Sequence, residues 1–452
     1  MFVIRKHPGL NPIGKMNTAY LNIWNKRAGA IAWDDDRGIG TFEFEPSFIN
    51  SGWDLAPLEM PLSEGRNRFF NFPELKDSTA FKGIPGLLAD VLPDKYGNAL
   101  INAWLSRNGR PSDSLNPVET LCFIGKRGMG AMEFEPVLKD GYERSGKIEI
   151  GSLIEIANDI LTGRQDFSTD LSAEEEKALL SILKVGTSAG GARAKAVIAF
   201  NPDTKEVRSG QVSAPTGFTH WIIKFDGVTD TQFGSSHGYG RVEMAYHLMA
   251  KAAGIEMTEC RLLEENGRAH FMTKRFDREQ GKGKIHVQSF CAMRHFDFND
   301  VGSYSYEQLF ETMRILGLPY PEAEQMFRRM VFNVIARNCD DHTKNFAFLM
   351  NKSGEWSLSP AFDVCHSYRP GSTWVSQQSL SVNGKRKNIV YDDFISVAKN
   401  MNIKKAANII KQINEVVKKW PEFAEETKVD HNLRDAIGKT LASAWSAQDD
   451  EA

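Results

Sequence analysis

A chain of 452 residues is too long for one compact domain, and with 41% apolar and 25% charged residues it can build two or three ordinary globular cores. Its net charge of −3 gives no global pull toward nucleic acid, and no apolar run approaches the length of a membrane span. Five cysteines without a Cys-x-x-Cys pair argue against a zinc finger or a disulfide framework, and the lack of a signal-peptide core in residues 1–8 points to a cytoplasmic protein.

Tyr20–Trp24, Ala30–Trp33 and Thr41–Phe44 alternate like strands of an antiparallel meander, with turns at Asn25–Arg27 and Asp34–Gly38. Pro57, Pro61 and Pro73 punctuate a loop-rich section. A helix is predicted from about Asp94, with Tyr96, Leu100, Ile101, Trp104 and Leu105 as its apolar stripe. Residues 1–140 thus read as a small α/β subdomain, and 139–147 as a linker. Helical patterns at about 151–162 and 173–184 lead to Gly186, Thr187, Ser188, Ala189, Gly190, Gly191, Ala192, Arg193, Ala194 and Lys195, which run into the apolar strand Ala196–Phe200. Small residues let backbone amides approach an anion, and Ser188, Arg193 and Lys195 offer side-chain donors. No Gly-Lys-Ser/Thr opens a helix here, so this is not a Walker loop. A glycine-rich hairpin without a ligand is the plain alternative.

His220–Asp226 is a strand pattern holding one lysine, Lys224. A lysine at a strand end can grip nucleotide phosphates when a helix glutamate orients it. Glu243 suits that second role, because Val242, Ala245, Tyr246 and Met249 around it recur at helical spacing. From Tyr306 onward helices predominate, through Met326, Met330, Val331 and Val334 and on to Trp445. Between a helix end at Met330–Arg337 and a strand at Phe346–Met350 lies Asn338-Cys339-Asp340-Asp341-His342-Thr343-Lys344-Asn345, followed by Ser359-Pro360-Ala361-Phe362-Asp363. Asn345 comes five residues after Asp340, and Asp363 eighteen residues later. A Mg-ATP phosphotransferase needs such a set: one carboxylate takes the proton of the attacking hydroxyl, while a carboxamide and a second carboxylate hold Mg2+. Lys344 joins the candidates for nucleotide contact. The alternatives are a solvated turn or a zinc or manganese hydrolase cluster of Asp340, Asp341, His342, Asp363 and His366. His342 reads better as a brace for the loop. Lys385-Arg386-Lys387 reads as a solvated turn.

Glycine loop, lysine strand, glutamate helix, Asp-to-Asn loop and second Asp follow in the order of the kinase fold. Together with Lys274-Arg275-Phe276-Asp277-Arg278 and the upstream run Phe81–Asp94, they make the chain resemble HipA-family serine/threonine kinases, the toxin half of bacterial type II toxin–antitoxin pairs. The likeness runs from about residue 20 to about 420. It departs at Arg193 and Ala194, and at Cys339 and Asp341 beside the proposed base.

The resemblance implies an α+β, two-lobed protein-kinase-like fold, with an N-terminal subdomain (1–140), a nucleotide-binding lobe (150–276) and a helical catalytic lobe (277–446). It implies Asp340 as base, Asn345 and Asp363 as Mg2+ ligands, and backbone groups near Met272 and Lys274 placed for adenine contacts. Ser188 falls at the family's autophosphorylated serine. It also implies a helix-turn-helix antitoxin as partner, DNA reached only through that partner, no membrane, and a protein substrate such as an aminoacyl-tRNA synthetase. A small-molecule kinase resembling antibiotic phosphotransferases shares the Asp-to-Asn spacing. A catalytically idle kinase fold acting as a binding module or corepressor is the non-enzymatic alternative.

Overall fold

The computed structural model describes residues 16–66, 68–137, 148–162, 180–183, 186, 193–210, 216–230, 234–279 and 283–444. The chain opens with β1 (Thr18–Ile23), β2 (Lys26–Asp34) and β3 (Ile39–Phe44), and β4 (Met132–Glu135) returns to pair with β1 in the antiparallel order β3-β2-β1-β4. Trp24 and Asn25 both take positive φ, 48° and 65°. That two-residue turn matches the strand twist, so Lys26 and Arg27 already belong to β2 instead of to the turn. The inward residues of this sheet pack on α1 (Gly86–Ala89) and α3 (Pro117–Ile124). Asn116 starts α3 with a capping box closed by Glu119, and Pro117 occupies its first turn.

Between them lies α2 (Lys95–Arg107), whose N-cap Asp94 accepts from the Gly97 amide. Its apolar stripe is the expected one, but it is buried outside the first sheet's core. Tyr96, Leu100, Ile101, Trp104 and Leu105 join α4 (Ile150–Thr162) against one face of a second, five-stranded sheet. That sheet comprises β5 (Lys195–Phe200), β6 (Val207–Ser209), β7 (Thr219–Lys224), β10 (Cys260–Glu265) and β11 (Arg268–Lys274), in the order β10-β11-β7-β5-β6. A two-residue ribbon, β8 (Thr229–Asp230) with β9 (Gly234–Ser235), precedes α5 (Tyr239–Ala252), and a second, β12 (Arg278–Glu279) with β13 (Gly283–Lys284), follows β11.

The C-terminal lobe combines a small sheet of β14 (His286–Ser289), β15 (Ala347–Met350) and β16 (Trp356–Leu358) with α6 (Phe290–Arg294), α7 (Tyr306–Ile315), α8 (Tyr320–Ile335), α9 (Tyr391–Met401), α10 (Ala406–Val417), α11 (Trp420–Glu426) and α12 (His431–Ala444). Buried residues of α8, among them Phe327, Met330 and Val331, form the centre of its core, which extends into Val242, Tyr246 and Met249 of α5. The lobes are therefore packed together through α5. A buried ion cluster also joins the first subdomain to the end of β11. Asp277 accepts two bonds from Arg275 (2.8 and 2.6 Å), one from Arg278 (2.6 Å) and one from the Gly130 amide (2.7 Å). Neither Arg275 nor Asp277 has any exposed side-chain surface. Among the described residues no helix is long and apolar enough to cross a membrane.

Candidate active site

Successive strand residues alternate faces, and register sets Lys224 of β7 between Lys195 of β5 and Phe271 of β11. These residues look away from the core made with α2 and α4. Helix α5 lies on their side of the sheet. It comes close because residue 240 is glycine: a Cβ there would lie 1.9 Å from the Ala269 carbonyl oxygen. Gly238, at φ 80°, caps the helix, and its amide donates to Asp226 (2.8 Å). One turn on, Glu243 reaches Lys224, with Oε1 2.5 Å from Nζ. Glu243 thus faces inward, a direction that the helical spacing around it left open. Lys224 also donates to Oδ1 of Asp363, which arrives from the other lobe on a residue with φ 51°.

Three charges shape one another here. Burial works against the Lys224 ammonium, but Asp363 and Glu243 outweigh it and hold its pKa above the usual lysine range. Burial alone would raise the Asp363 carboxyl. Lys224 and Lys195 reverse that and hold it below the usual carboxylate range. Burial pushes Glu243 up, with Lys224 pulling it back. Burial lowers the pKa of Lys195, while Asp363 and Asp94 oppose the loss of its charge.

The second half of the site begins where α8 ends. Arg337 takes φ 53°, and Asn338 then bridges to Ser367. Asp341 is the buried anchor of the loop: Tyr306 donates its hydroxyl (2.7 Å) and Ser379 its amide (2.6 Å). Burial pushes the Asp341 carboxyl up to about 7, against those two hydrogen bonds. The Nδ1 atom of His342 accepts from the Lys344 amide (3.2 Å), so the proton of the neutral ring sits on Nε2, 3.8 Å from Asp340 Oδ1. Burial lowers the His342 pKa and favours that neutral form. This is the bracing role expected for His342.

Asn345 donates its amide to the Asp340 carbonyl (2.7 Å), which fixes the flip of the carboxamide and leaves Oδ1 as the atom able to ligate a cation. Asp340 itself is 36% exposed, and its Oδ1 accepts from the indole of Trp374 (2.9 Å). The structure thus brings Lys224, Glu243 and Asp363 together, and it builds Asp340 and Asn345 into one loop. Asn345 and Asp363 also line a common pocket, with Asn338, Asp341, Phe346 and Phe362. A carboxamide oxygen and a carboxylate are hard oxygen donors of the kind Mg2+ takes.

The other candidates fall elsewhere. Gly186 packs under α2, where a Cβ would meet Leu100 Cδ1 at 2.5 Å, so its missing side chain serves packing. Thr187, Ser188, Ala189, Gly190, Gly191 and Ala192 lie outside the described residues. The Arg193 guanidinium covers the Tyr239 ring at 4.5 Å, at the start of α5.

Met272 lies within β11, on the strand beside Lys224. It is paired with Ile223 and Arg261 inside the sheet and faces the core with α2 and α4, opposite to Lys224. The two-residue pleat puts Phe271 and Thr273 on the Lys224 face instead. Lys274 stands at the strand end, half exposed. Its amide donates to the Glu259 carbonyl (2.9 Å), and its ammonium lies 3.7 Å from the Glu259 carboxylate. Lys344 reaches over the Phe298 ring (5.5 Å) and acts electrostatically on Asp90 and Asp94 of the first subdomain. The hydrolase cluster does not assemble. Asp341 is taken by Tyr306 and Ser379, and His366 lies 2.8 Å from Thr440 Oγ1. Among the described residues no three potential ligands converge.

The family model described as the HipA N-terminal domain matches residues 19–135, and that described as the HipA-like C-terminal domain matches residues 187–420. Two proteins of Sinorhizobium fredii (strain NBRC 101917 / NGR234), provisionally named kinases Y4mE and Y4dM, are each 24% identical to this chain. The match to Y4mE spans 125 residues, 26% of this chain and 30% of the relative, and that to Y4dM 188 residues, 36% and 42%. The chain thus spans less than half the length of these curated relatives. Among solved structures, HipA from the Shewanella oneidensis MR-1 toxin–antitoxin complex with HipB and operator DNA superposes with a TM-score of 0.63 at 16% identity, covering 94% of this chain and 95% of that one. That likeness is one of fold: a two-lobed, kinase-like architecture preceded by a small subdomain.

Proposed function

The chain belongs to the HipA family, and on that premise we propose that it is a Mg-ATP-dependent serine/threonine protein kinase regulated by a small DNA-binding antitoxin. One observation carries the reading. Lys224, Glu243 and Asp363, from a strand, a helix and the opposite lobe, meet at a single ammonium beside the loop of Asp340 and Asn345. An ion pair between a strand lysine and a helix glutamate, with a carboxylate within reach, is the arrangement with which protein kinases hold the phosphates of ATP.

In this reading Lys224 leaves Asp363 to hold the phosphates, and Glu243 keeps its ammonium in place. The freed Asp363 carboxylate and Asn345 Oδ1 would hold Mg2+, whose chemistry there would be to neutralise charge on the phosphates. Asp340 accepts the proton of the acceptor hydroxyl as that oxygen forms its bond to phosphorus and the bond to ADP breaks. Asp341, Tyr306 and His342 hold the loop still, so the contribution of the protein is positioning and charge rather than covalent chemistry. Arg193 and Lys195 add cations near the phosphate end. Ser188 is the proposed site of autophosphorylation.

A small-molecule kinase is the second reading, since the exposed Asp340 carboxylate accommodates either kind of acceptor. The antitoxin partner is proposed from the family, in line with the complex in which the Shewanella HipA was solved. The weak net charge of this chain supports contact with DNA through that partner. Transfer of labelled phosphate from ATP, with and without candidate protein and small-molecule acceptors and with Asp340→Ala as control, tests the proposal. Absence of Mg-dependent nucleotide binding would remove it.

A further inference from the structure

Building on the assignment of Asp340 as proton acceptor, we infer that Trp374 occupies the place of the acceptor hydroxyl and that the loop Arg369–Val375 must carry its indole off Asp340 before transfer. The indole Nε1–H donates to Asp340 Oδ1 at 2.9 Å, across 34 residues of sequence. An acceptor hydroxyl must make that same donation to that same carboxylate if it is to hand over its proton while its oxygen attacks the γ-phosphorus of ATP. At Oδ1 the two donors compete.

The chemistry of the side chain suits this role. Indole N–H donates and cannot accept, and it carries no oxygen that ATP could phosphorylate. A serine, threonine or tyrosine in the same place would be consumed. Tryptophan fills the place at Oδ1 without reacting, while the Asp340 side chain as a whole stays 36% exposed.

The loop is built to move as a unit. Its ends are joined by the Arg369 amide donating to the Val375 carbonyl (3.1 Å). Within it, Ser372 Oγ accepts from the amides of Trp374 and Val375, both at 3.2 Å. Arg369, Pro370, Gly371 and Thr373 are exposed, and Gly371, at φ 77°, has open space where a Cβ would be. When the indole leaves, the His342 ring remains as a wall, backed by Phe298 at 5.3 Å between centroids. That wall fits a hydroxyl borne by a segment with an apolar or aromatic group beside it, such as a serine or threonine flanked by a large apolar residue.

Trp374→Phe tests this, because it keeps the ring and removes the donor; Ser372→Ala, which loosens the loop from outside the site, is the second variant. The readout is ADP release with water as the only acceptor, together with nucleotide affinity measured by titration. A hydrogen bond to a charged group is lost in Trp374→Phe, so Oδ1 is freed for water and ADP release rises by about tenfold or more while nucleotide affinity holds. Adding Asp340→Asn to Trp374→Phe abolishes the gain, since the indole acts through that carboxylate. Unchanged or reduced ADP release in Trp374→Phe would overturn the inference, the latter by showing that the indole orients Asp340 for catalysis. A gain that survives Asp340→Asn would overturn it equally. Failure of the wild type to bind Mg-ATP would instead sink the kinase reading on which the inference rests.

Discussion

Glu243→Gln isolates the role of the helix glutamate. Lys224 has two carboxylate partners, so the substitution leaves it paired with Asp363 and strands no charge. Gln also removes a carboxylate that burial disfavours. Folding free energy is therefore expected to change by no more than about 1 kcal/mol, against roughly 3–5 kcal/mol for breaking an isolated buried pair. Turnover is expected to differ, because in the proposed mechanism Asp363 serves Mg2+ and Glu243 is left as the carboxylate that fixes the ammonium. The contact is 2.5 Å long between side chains 19% and 11% exposed. A charged hydrogen bond of that kind contributes about 1.5–3 kcal/mol. At about 1.4 kcal/mol per decade, kcat/KM for phosphoryl transfer falls roughly ten- to a hundred-and-fifty-fold. Labelled-ATP transfer kinetics set beside urea unfolding give both quantities. Wild-type kcat/KM in a folded Glu243→Gln protein would refute the reasoning, as would a stability loss large enough to account for the kinetic one.

Asp340→Ala is expected to reduce transfer by about a hundredfold or more while Mg-ATP still binds, whereas Asp363→Ala weakens Mg-dependent nucleotide binding as well; isothermal titration beside the transfer assay separates them. Asp341, raised from 3.8 to about 7, holds a proton in the folded state that the unfolded chain has released. Its contribution to stability is thus present at low pH and is lost as pH rises from about 4 toward 7, with a slope of at most about 1.4 kcal/mol per pH unit. Asp341→Asn is expected to flatten that part of the urea-unfolding pH profile, and an unaltered profile would count against it. Ser188→Asp is expected to weaken ATP binding sharply while Ser188→Ala leaves it intact, through negative charge brought near the phosphates; mass spectrometry after incubation with Mg-ATP checks whether Ser188 is modified. In gel shifts the isolated chain is expected to show only salt-sensitive, sequence-indifferent DNA association, and operator-specific binding by the chain alone would contradict the partner assignment.

Much of the site was legible because its parts carry local signals in a fixed order. Lys224 among apolar residues, Glu243 on a helical stripe and the Asp340-to-Asn345 spacing each survive without knowledge of the fold. Facing was harder to read. Met272 and Thr273 are adjacent in sequence, yet one pleat separates the core from the cleft, and only the register with Ile223 and Ile222 decides between them. The partner of Asp340 could not be found from sequence, since Trp374 is distant along the chain and sits in a stretch that reads as loop. Tyr306 and Asp341 were hidden for the same reason, one at a helix start and the other beside the proposed base. Other misses had usable signals. Asn116-Pro117-Val118-Glu119 spells a helix start, and Met132–Glu135 alternates apolar and acidic side chains as an antiparallel strand does. The stripe of α2 was read correctly, but an amphipathic pattern says that a face is buried and never against what.

That last point bears on how the molecule melts. The sheet that carries Lys224 has its outer face completed by a helix from the preceding subdomain, while Asp277 is neutralised by Arg275 and seated on the Gly130 amide of that subdomain. Removing either side would leave Trp104 and Ile198 in water or a carboxylate short of a donor. The three cores are therefore coupled, and calorimetry is expected to show one endotherm whose van't Hoff and calorimetric enthalpies agree, where three separable domains would give a broad or split transition. Loosening at Asp277 would reach the candidate active site as surely as a change within it.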